Sequence, residues 1–176
     1  MSAIRDKYEQ CGVSNYYLEH GGEYKNPHSQ DVIKCLRYFY IKEKHMKVLD
    51  FACGDGLVSK WIGKRSEIVG CDGYLHDRYI KETGNKCHKY TFQDICDFNN
   101  FIENNFDLIV FSYAIDLVGG SYIQQLLYRL STIGKEMLII RPNKHIIDSP
   151  FWSIKEKYNA NKAKSALYIS LFNQNT

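Results

Sequence analysis

The sequence has no long apolar run, no secretion signal and no large excess of charge of one sign. Its most apolar stretch, 106–118, is interrupted by Asp107, Ser112 and Asp116, whereas a bilayer span needs about 18 consecutive apolar residues. Charged residues occur among the first ten positions, where a signal peptide would have its apolar core. The 23 Lys and Arg against 20 Asp and Glu leave a net charge of +3, which does not by itself indicate a nucleic-acid or membrane surface. We therefore expect a cytoplasmic protein without a membrane partner.

Cysteine patterns typical of metal sites and disulfide frameworks are also missing. The six cysteines stand at positions 11, 35, 53, 71, 87 and 96, with no C-x-x-C pair and no Cys/His spacing of the zinc type. A chain of 176 residues buries enough surface to fold without disulfides. The pattern predicts buried free thiols and no metal site.

Proline is scarce, with three residues, and no low-complexity or Pro/Ser-rich linker divides the chain. The length is typical of one domain, at most with a short extension. We expect a single domain over residues 1–176 with three parts. These are a helical prefix or lid (1–46), a ligand-binding core (47–141), and a C-terminal helix with an edge strand (142–176).

The sequence does contain a regular alternation of apolar runs and helical patterns. The apolar runs, which suit strands buried on both faces, are 47–51, 67–72, 88–94, 106–112 and 136–141. Helical spacing is clearest at Leu57, Val58, Trp61 and Ile62, and again at Tyr122, Leu126, Leu127 and Leu130. Strands alternating with helices predict an α/β fold with a doubly wound, mostly parallel sheet, whose ligand binds at the carboxyl ends of the strands.

The regions that flank this alternation predict three further elements. Residues 28–44 have the spacing of an amphipathic helix, which would form the N-terminal helical prefix. After Arg141, the pattern predicts a short helix around Phe151–Tyr158 and a final strand at 166–172. The sheet is therefore expected to have six to seven strands.

The first strand leads into a glycine-containing turn, residues 50–56, which is followed directly by a helix. A turn of the form small-x-Gly-x-Gly brings bare backbone and helix N–H groups close to a ligand. Asp50 and Asp55 bracket the turn, and Ser59 occupies the position of the third glycine of a dinucleotide fingerprint. Carboxylates repel a pyrophosphate and attract an ammonium or a sulfonium, so the turn favours a cationic ligand. Asp50 could equally satisfy amides of the turn.

Acidic residues also end the second and third predicted strands. Asp72 can accept hydrogen bonds from both hydroxyls of a ribose, and Asp94 lies within reach of an adenine amino group. Together with Asp50 they describe a pocket for an adenosine that carries positive charge. Asp94 could instead only cap a helix over 96–104.

Four segments of the chain resemble motifs of a known family. LDFACGDG, CDG, FQDI and FDLIVFSYAIDLV look like motifs I, post-I, II and IV of the class I S-adenosylmethionine-dependent methyltransferases. The resemblance extends from about Lys47 to Arg141. It implies a Rossmann-like methyltransferase fold and S-adenosylmethionine as the cofactor. Ala52 stands where motif I usually has its first glycine.

The resemblance also implies a role for each matching residue. The methionine portion of the cofactor would contact Ala52, Gly54 and Gly56, with Asp50 orienting it. The ribose and the adenine would contact Asp72, Gly73 or Tyr74, Asp94 and Ile95. Ser112 and Tyr113, at the end of the fourth strand, would face the methyl group and the acceptor.

Candidates for a general base are few. His28 begins the prefix helix near Tyr16, Tyr17 and Tyr24, and these tyrosines either form a lid or pack against the sheet. His145 follows the fifth strand. Methyl transfer to a good nucleophile needs mainly proximity and alignment, so the lack of an obvious catalytic dyad does not argue against an enzyme. The candidates for positioning the substrate or removing its proton are Ser112, Tyr113, His28 and His145.

We expect an enzyme that transfers a methyl group from S-adenosylmethionine to a small-molecule acceptor by in-line displacement. The segment after the fourth strand reads SYAI. Methyltransferases that act on nucleobase amino groups or glutamine carry an Asn/Asp-Pro-Pro-aromatic segment there. Nucleic-acid or protein acceptors and the oligomeric state are left open. Two alternatives are a methyltransferase-like binding module without turnover, and an oxidoreductase that uses a nucleotide cofactor such as a nicotinamide dinucleotide.

Overall fold

A seven-stranded sheet with helices on both faces organises the part of the chain that the structure describes. The computed structural model describes residues 28–39, 41, 46–97, 102–142 and 145–172. In chain order the strands are β1 (Lys47–Phe51), β2 (Glu67–Cys71), β3 (Cys87–His88), β4 (Phe106–Ser112), β5 (Gly134–Pro142), β6 (Trp152–Ala160) and β7 (Ala163–Ser170). The helices are α1 (Ser29–Tyr38), α2 (Leu57–Ile62), α3 (His76–Thr83), α4 (Phe92–Asp97) and α5 (Ile123–Ile133). A 3₁₀ helix, Ile115–Leu117, follows β4.

The strands lie across the sheet in the order β3-β2-β1-β4-β5-β7-β6. The first five of these pair in parallel, whereas β7 is antiparallel to both β5 and β6. Chain order reverses direction between β1 and β4, so a crevice opens at their carboxyl ends, which is where open α/β sheets bind ligands. The predicted doubly wound, mostly parallel sheet is confirmed, with seven strands.

Each central strand contributes side chains to two cores, one on each face of the sheet. In β4, Ile109 and Phe111 pack with residues of α4 and α5, whereas Leu108 and Val110 pack with residues of α1 and α2. All four side chains are fully buried. A run without polar alternation is what a parallel strand covered on both faces requires, and each such side chain contributes roughly 1.5–3 kcal/mol by burial.

The predicted prefix helix is present over Ser29–Tyr38, a shorter stretch than 28–44. Its buried apolar residues, at helical spacing, are Val32, Cys35 and Leu36. They pack in the same core as Val58 and Ile62 of α2. Residues 1–27 and 42–45 lie outside the described residues, and with them the predicted lid or packing of Tyr16, Tyr17 and Tyr24.

The tail after β5 forms a β-hairpin, so the predicted helix at Phe151–Tyr158 is wrong. β6 pairs along its length with β7, with one irregularity between Ile154 and Glu156. β6 is an edge strand, and its charged run 155–157 is typical of edge strands, which carry charges that discourage further pairing. Pairing across the hairpin and burial of Trp152 outweigh the local helix propensity. The final strand therefore starts at Ala163 rather than at 166.

The third predicted strand, 88–94, is also largely wrong. β3 contains only Cys87–His88, and α4 begins at Phe92. The N–H and Oγ1 of Thr91 donate to Asp94 Oδ2 at 2.8 and 2.7 Å, and the N–H of Asp94 donates to Thr91 Oγ1 at 3.2 Å. This reciprocal capping box starts a helix, so the pattern Thr-x-x-Asp was a local signal that the apolar-run analysis missed.

The cysteines of the described residues form no disulfide. Five cysteines, Cys35, Cys53, Cys71, Cys87 and Cys96, are free, and all but Cys87 are buried. Cys11 lies outside the described residues.

No helix in the described part of the chain has both the length and the apolar character needed to cross a membrane.

Candidate functional site

A cavity of about 280 Å³ opens at the carboxyl ends of the central strands. Its walls come from the segments that follow β1, β2, β3 and β4, as expected for a crevice at the reversal of strand order. Seven predicted site residues line it, namely Ala52, Gly54, Asp72, Gly73, Tyr74, Ser112 and Tyr113. The other predicted residues, Asp50, Gly56, Asp94, Ile95, His28 and His145, lie outside this lining.

The loop between β1 and α2 is held against β2 through backbone hydrogen bonds. The N–H groups of Ala52 and Cys53 donate to the carbonyl oxygen of Cys71 at 2.8 and 3.3 Å. Ala52 has a φ of 55°, a left-handed conformation that costs a non-glycine residue about 1–2 kcal/mol. The loop therefore stores strain at a position that lines the cavity, a feature that clusters at functional sites.

Gly56 ends this loop at a position that only glycine fits. Its φ is 75°, and a Cβ atom on it would overlap Cγ2 of Thr83 and lie 3.2 Å from the Tyr79 ring. Gly56 does not line the cavity. It allows the start of α2 to approach α3 closely, and this contact supports the loop between β1 and α2.

We expect Gly56→Ala to lower the free energy of unfolding by about 3 kcal/mol, from left-handed strain plus steric overlap. Urea denaturation would measure it. Thr83→Ser removes only the methyl group that overlaps and keeps the hydroxyl that donates to the Tyr79 carbonyl oxygen at 2.8 Å. The double variant should therefore recover about 1–2 kcal/mol. Strictly additive effects of the two substitutions would contradict the predicted overlap.

Asp72 connects two of the loops that line the cavity. Its Oδ2 accepts the N–H of Gly54 at 3.0 Å, and its Oδ1 accepts the N–H groups of Tyr74 and Leu75 at 2.9 and 2.8 Å. A carboxylate has about four lone-pair sites, so about one remains for a ligand. The predicted end of the second strand thus places a carboxylate at the cavity wall.

Asp50 lies beneath the loop rather than in the cavity. Its carboxylate is 1% exposed and accepts the N–H and Oγ–H of Ser59 at 3.2 and 2.6 Å. Burial raises the pKa of Asp50 to about 7, so much of this group is neutral near neutral pH. The expectation that Asp50 supplies a full negative charge to the ligand is therefore corrected. Its observed partner is Ser59, in line with the alternative that it satisfies amides of the turn.

Tyr79 completes this buried network and was missed by the sequence reasoning. Its hydroxyl lies 2.7 Å from Ser59 Oγ, and its ring is fully buried. A Cβ atom at Gly70 would lie 2.6 Å from Tyr79 Cε1, so glycine in β2 makes room for the ring. Burial raises the pKa of Tyr79 well above its usual range, which keeps the hydroxyl protonated. A glycine inside an apolar strand was the available signal for this close approach.

Neither Asp94 nor Ile95 lines the cavity. The Asp94 carboxylate bonds to Thr91 in the capping box, and Ile95 is fully buried in the core. Residues 90–93 line the cavity in their place. Contact of Asp94 and Ile95 with the base stays a prediction, whereas their placement at the end of a strand is wrong because α4 starts first.

Ser112 ends β4 and lines the cavity. Its Oγ atom is buried, and within the described residues no group bonds to it. A buried hydroxyl without a partner is costly, by about 1–3 kcal/mol, unless a ligand satisfies it. The Oγ of Ser112 therefore marks a point where a polar group of a ligand is favoured.

Tyr113 lines the cavity, and its ring stacks on the ring of His28, a residue far from it in the sequence. Their rings stack with centroids 4.9 Å apart and planes 18° apart. The Tyr113 hydroxyl donates to the Lys162 carbonyl oxygen at 3.2 Å, and the residue has a left-handed φ of 57°. Burial raises the pKa of Tyr113 to about 12, so its hydroxyl is a poor base at neutral pH. His145 is exposed and lies outside the lining.

An ion pair near the site was also missed. Arg141 at the end of β5 pairs with Asp116 in the 3₁₀ helix, and both side chains are mostly buried. Arg141 Nη1 also donates to the His145 carbonyl oxygen at 2.7 Å. The pair holds the segment that carries Leu117 and Val118, which line the cavity. Sequence spacing gives no means of pairing residues from two different strand ends.

Solved structures with the same fold include several methyltransferases. N-methyltransferase NodS from Bradyrhizobium japonicum, in complex with S-adenosylhomocysteine, has a TM-score of 0.67 at 11% identity and covers 97% of this chain and 100% of its own. Magnesium protoporphyrin IX methyltransferase ChlM from Synechocystis, with bound S-adenosylmethionine, has a TM-score of 0.63 at 11% identity, with 95% of both chains covered. An rRNA methylase from Escherichia coli has a TM-score of 0.59 at 16% identity and covers 96% of this chain and 82% of its own. At these identities the likeness establishes the Rossmann-like methyltransferase fold.

Sequence comparison identifies the family. No curated protein matches the chain significantly. The family described as methionine biosynthesis protein MetW matches residues 36–164, a range that contains β1 to β5, most of the hairpin and every motif of the resemblance. The predicted likeness to class I methyltransferases is thereby confirmed for family and fold. Since the match spans most of its length, the chain belongs to the MetW family.

Proposed function

We propose that the chain binds S-adenosylmethionine in the cavity between β1, β2 and β4 and transfers its methyl group to an acceptor, which we take to be a small molecule. The observation that carries this proposal is the Asp72 carboxylate, which holds the Gly54 loop at 3.0 Å and still has acceptor capacity facing the cavity. A ribose needs such an acceptor. Two of the structural neighbours contain S-adenosylhomocysteine or S-adenosylmethionine, which supports the choice of ligand.

Successive parts of the cavity wall suit the ribose, the adenine and the methionine portion of this cofactor. Asp72 would accept a hydrogen bond from a ribose hydroxyl, and Tyr90 and Phe92 offer aromatic faces beside the adenine. Gly73 allows Thr91, another lining residue, to pack closely against it, because a Cβ atom on residue 73 would lie 2.7 Å from Thr91 Cγ2. Ala52 and Gly54 expose backbone to the methionine portion. The residues present therefore fit the cofactor.

Bound S-adenosylmethionine supplies an electrophilic methyl group whose leaving group is a neutral thioether. The chain's own contribution is to align the acceptor and to accept its proton. Ser112 offers the unpartnered hydroxyl for orienting a polar ligand group. Tyr113 stays protonated and packs against His28, so we assign proton removal to His28 and the aromatic wall to Tyr113. His145 is the weaker candidate, because it is exposed, whereas His28 is partly buried and stacks on Tyr113, which lines the cavity.

The segment that follows β4 bears on the class of acceptor. Ser112, Tyr113 and Ala114 line the cavity there. This segment lacks the Asn or Asp and the prolines that hold a planar amino group in methyltransferases of nucleobases. Apolar residues such as Leu117 and Val118 border the cavity. These features favour a small acceptor over a nucleic acid.

Calorimetry with S-adenosylhomocysteine tests the binding part of the proposal. We expect a dissociation constant in the micromolar range and no detectable binding of NAD or NADH. Binding of the dinucleotide in place of S-adenosylhomocysteine would support the oxidoreductase alternative instead. Incubation with methyl-tritiated S-adenosylmethionine and fractionated cell extract tests turnover. Label in the low-molecular-weight fraction supports a small acceptor, label only in macromolecules contradicts it, and binding without any labelled product would favour the non-catalytic module.

A further inference from the structure

Two cysteine thiols lie next to each other at the loop between β1 and α2. Cys53 belongs to the loop between β1 and α2, Cys87 belongs to β3, and their sulfur atoms are 3.7 Å apart. We propose that Cys53 and Cys87 are a peroxide-sensitive pair, which forms a disulfide and thereby lowers the affinity for the cofactor. The effect on affinity rests on the proposed function, whereas the formation of the disulfide does not.

The fold selects this pair from a larger group of cysteines. Cys71 is close in β2, but β2 pairs with β3 so that Gly70 lies opposite Cys87. Because neighbouring side chains on a strand point to opposite faces, Cys71 faces away from Cys87. The Cys71 thiol is directed to the Tyr90 carbonyl oxygen at 3.9 Å. The remaining described thiols, Cys35 and Cys96, lie in α1 and α4.

The two thiols differ in access to solvent, which sets the order of the reaction. Cys87 is partly exposed, whereas Cys53 is buried and burial holds its pKa far above the usual range. The Cys87 thiolate would attack hydrogen peroxide, so that an S–O bond forms, the O–O bond breaks and water leaves after protonation. The Cys53 sulfur, losing its proton to the departing oxygen, then attacks the sulfenic acid, the S–S bond forms and a second water leaves. The two thiols are oxidised by two electrons, and one peroxide is reduced to two waters.

The disulfide would move the part of the loop that binds the cofactor. A disulfide needs the sulfur atoms about 2.05 Å apart, so the pair must close by about 1.7 Å. Cys53 stands between Ala52 and Gly54, which both line the cavity, and Gly54 is bonded to Asp72. A shift of Cys53 toward β3 disturbs these contacts. Bound cofactor, which would hold Ala52 and Gly54 in place, should oppose this shift and so slow disulfide formation.

The experiment treats the full chain with hydrogen peroxide and follows it by intact mass and peptide mapping after alkylation of free thiols. We expect a loss of two hydrogen atoms and a cross-linked peptide pair that contains Cys53 and Cys87. Calorimetry should show at least a tenfold weaker affinity for S-adenosylhomocysteine, which dithiothreitol restores. S-adenosylhomocysteine present during the peroxide treatment should slow the cross-link.

Cys87→Ser is the matched control, because residue 87 does not line the cavity. It should bind S-adenosylhomocysteine like the reduced wild type and lose no affinity with peroxide. Cys35→Ala, which removes a buried thiol from α1, should behave like the wild type. Failure to form this cross-link, an unchanged affinity after it forms, or an equal loss in Cys87→Ser would each overturn the proposal. If the reduced chain binds no S-adenosylhomocysteine, the proposed function and the effect on affinity are both refuted, and the mapping alone decides the disulfide.

Discussion

Asp72→Ala should weaken the binding of S-adenosylhomocysteine by roughly 100-fold, which corresponds to about 3 kcal/mol. The carboxylate accepts backbone N–H groups from Gly54, Tyr74 and Leu75, and it would also accept a ribose hydroxyl. Alanine removes the ligand contact and releases the two loops that form the wall. The released N–H groups lie at the mouth of a cavity, where water can reach them, so we expect the chain to remain folded. Calorimetry measures the affinity, and circular dichroism checks the fold.

Two further substitutions separate the ribose contact from a general loss of charge. Asp72→Asn keeps one acceptor oxygen of the same shape and should lose affinity by about tenfold, less than alanine. Asp77→Asn removes a carboxylate that is 91% exposed, five residues along the chain, and should leave the affinity unchanged. An Asp72→Ala protein that binds as tightly as the wild type would mean that the cofactor pocket is misassigned. An equal loss in Asp77→Asn would mean that overall charge rather than the ribose contact is responsible.

Asp50→Asn should remove a large pH dependence of stability. Burial raises the pKa of Asp50 to about 7, against about 3.9 in an unfolded chain. Between these two values the folded chain holds a proton that the unfolded chain has released, so stability falls as the pH rises. A shift of about three pKa units corresponds to about 4 kcal/mol. The stability difference between Asp50→Asn and the wild type should therefore move in favour of the variant by about 4 kcal/mol from pH 4 to pH 7.5, measured by urea denaturation.

Ser59→Ala is the companion variant for this prediction. The Ser59 hydroxyl donates to Asp50 at 2.6 Å and favours its charged form. Without that bond the pKa of Asp50 should rise, so the decline in stability should extend to higher pH than in the wild type. A flat difference between Asp50→Asn and the wild type from pH 4 to pH 7.5 would show that Asp50 ionises normally when folded.

Features encoded in short segments were predictable from the sequence. Ala52 and Gly54 of the small-x-Gly-x-Gly turn and Asp72 after the second strand lie within single segments of the chain, and they line the cavity, whereas Gly56 of the same turn does not. Ser112 was also placed correctly, because β4 is a long apolar run with a clear end. The capping box of Thr91 and Asp94 was equally local, and it was missed because the apolar run around it suggested a strand.

Features that depend on side chains from distant segments were not predictable. Tyr79 meets Ser59 from a different helix, and Arg141 meets Asp116 from a different strand end. The stacking of His28 on Tyr113 depends on how α1 packs against the sheet. β6 depends on pairing with β7, which overrides the helical character of its charged residues. Such pairings follow from the path of the whole chain rather than from any periodicity in it.

The sequence by itself determined the class of fold, the loop that would hold a cofactor and the carboxylate at its side, because apolar periodicity and turn chemistry act over a few residues. Only the tertiary structure decided that the Asp50 carboxyl is buried against Ser59 with a raised pKa. The same holds for the hydroxyl of Ser112, which is buried and has no hydrogen-bond partner among the described residues, and for Cys53, which faces Cys87. Burial and contact between distant segments set pKa values and reactivity, and both arise only when the chain is folded.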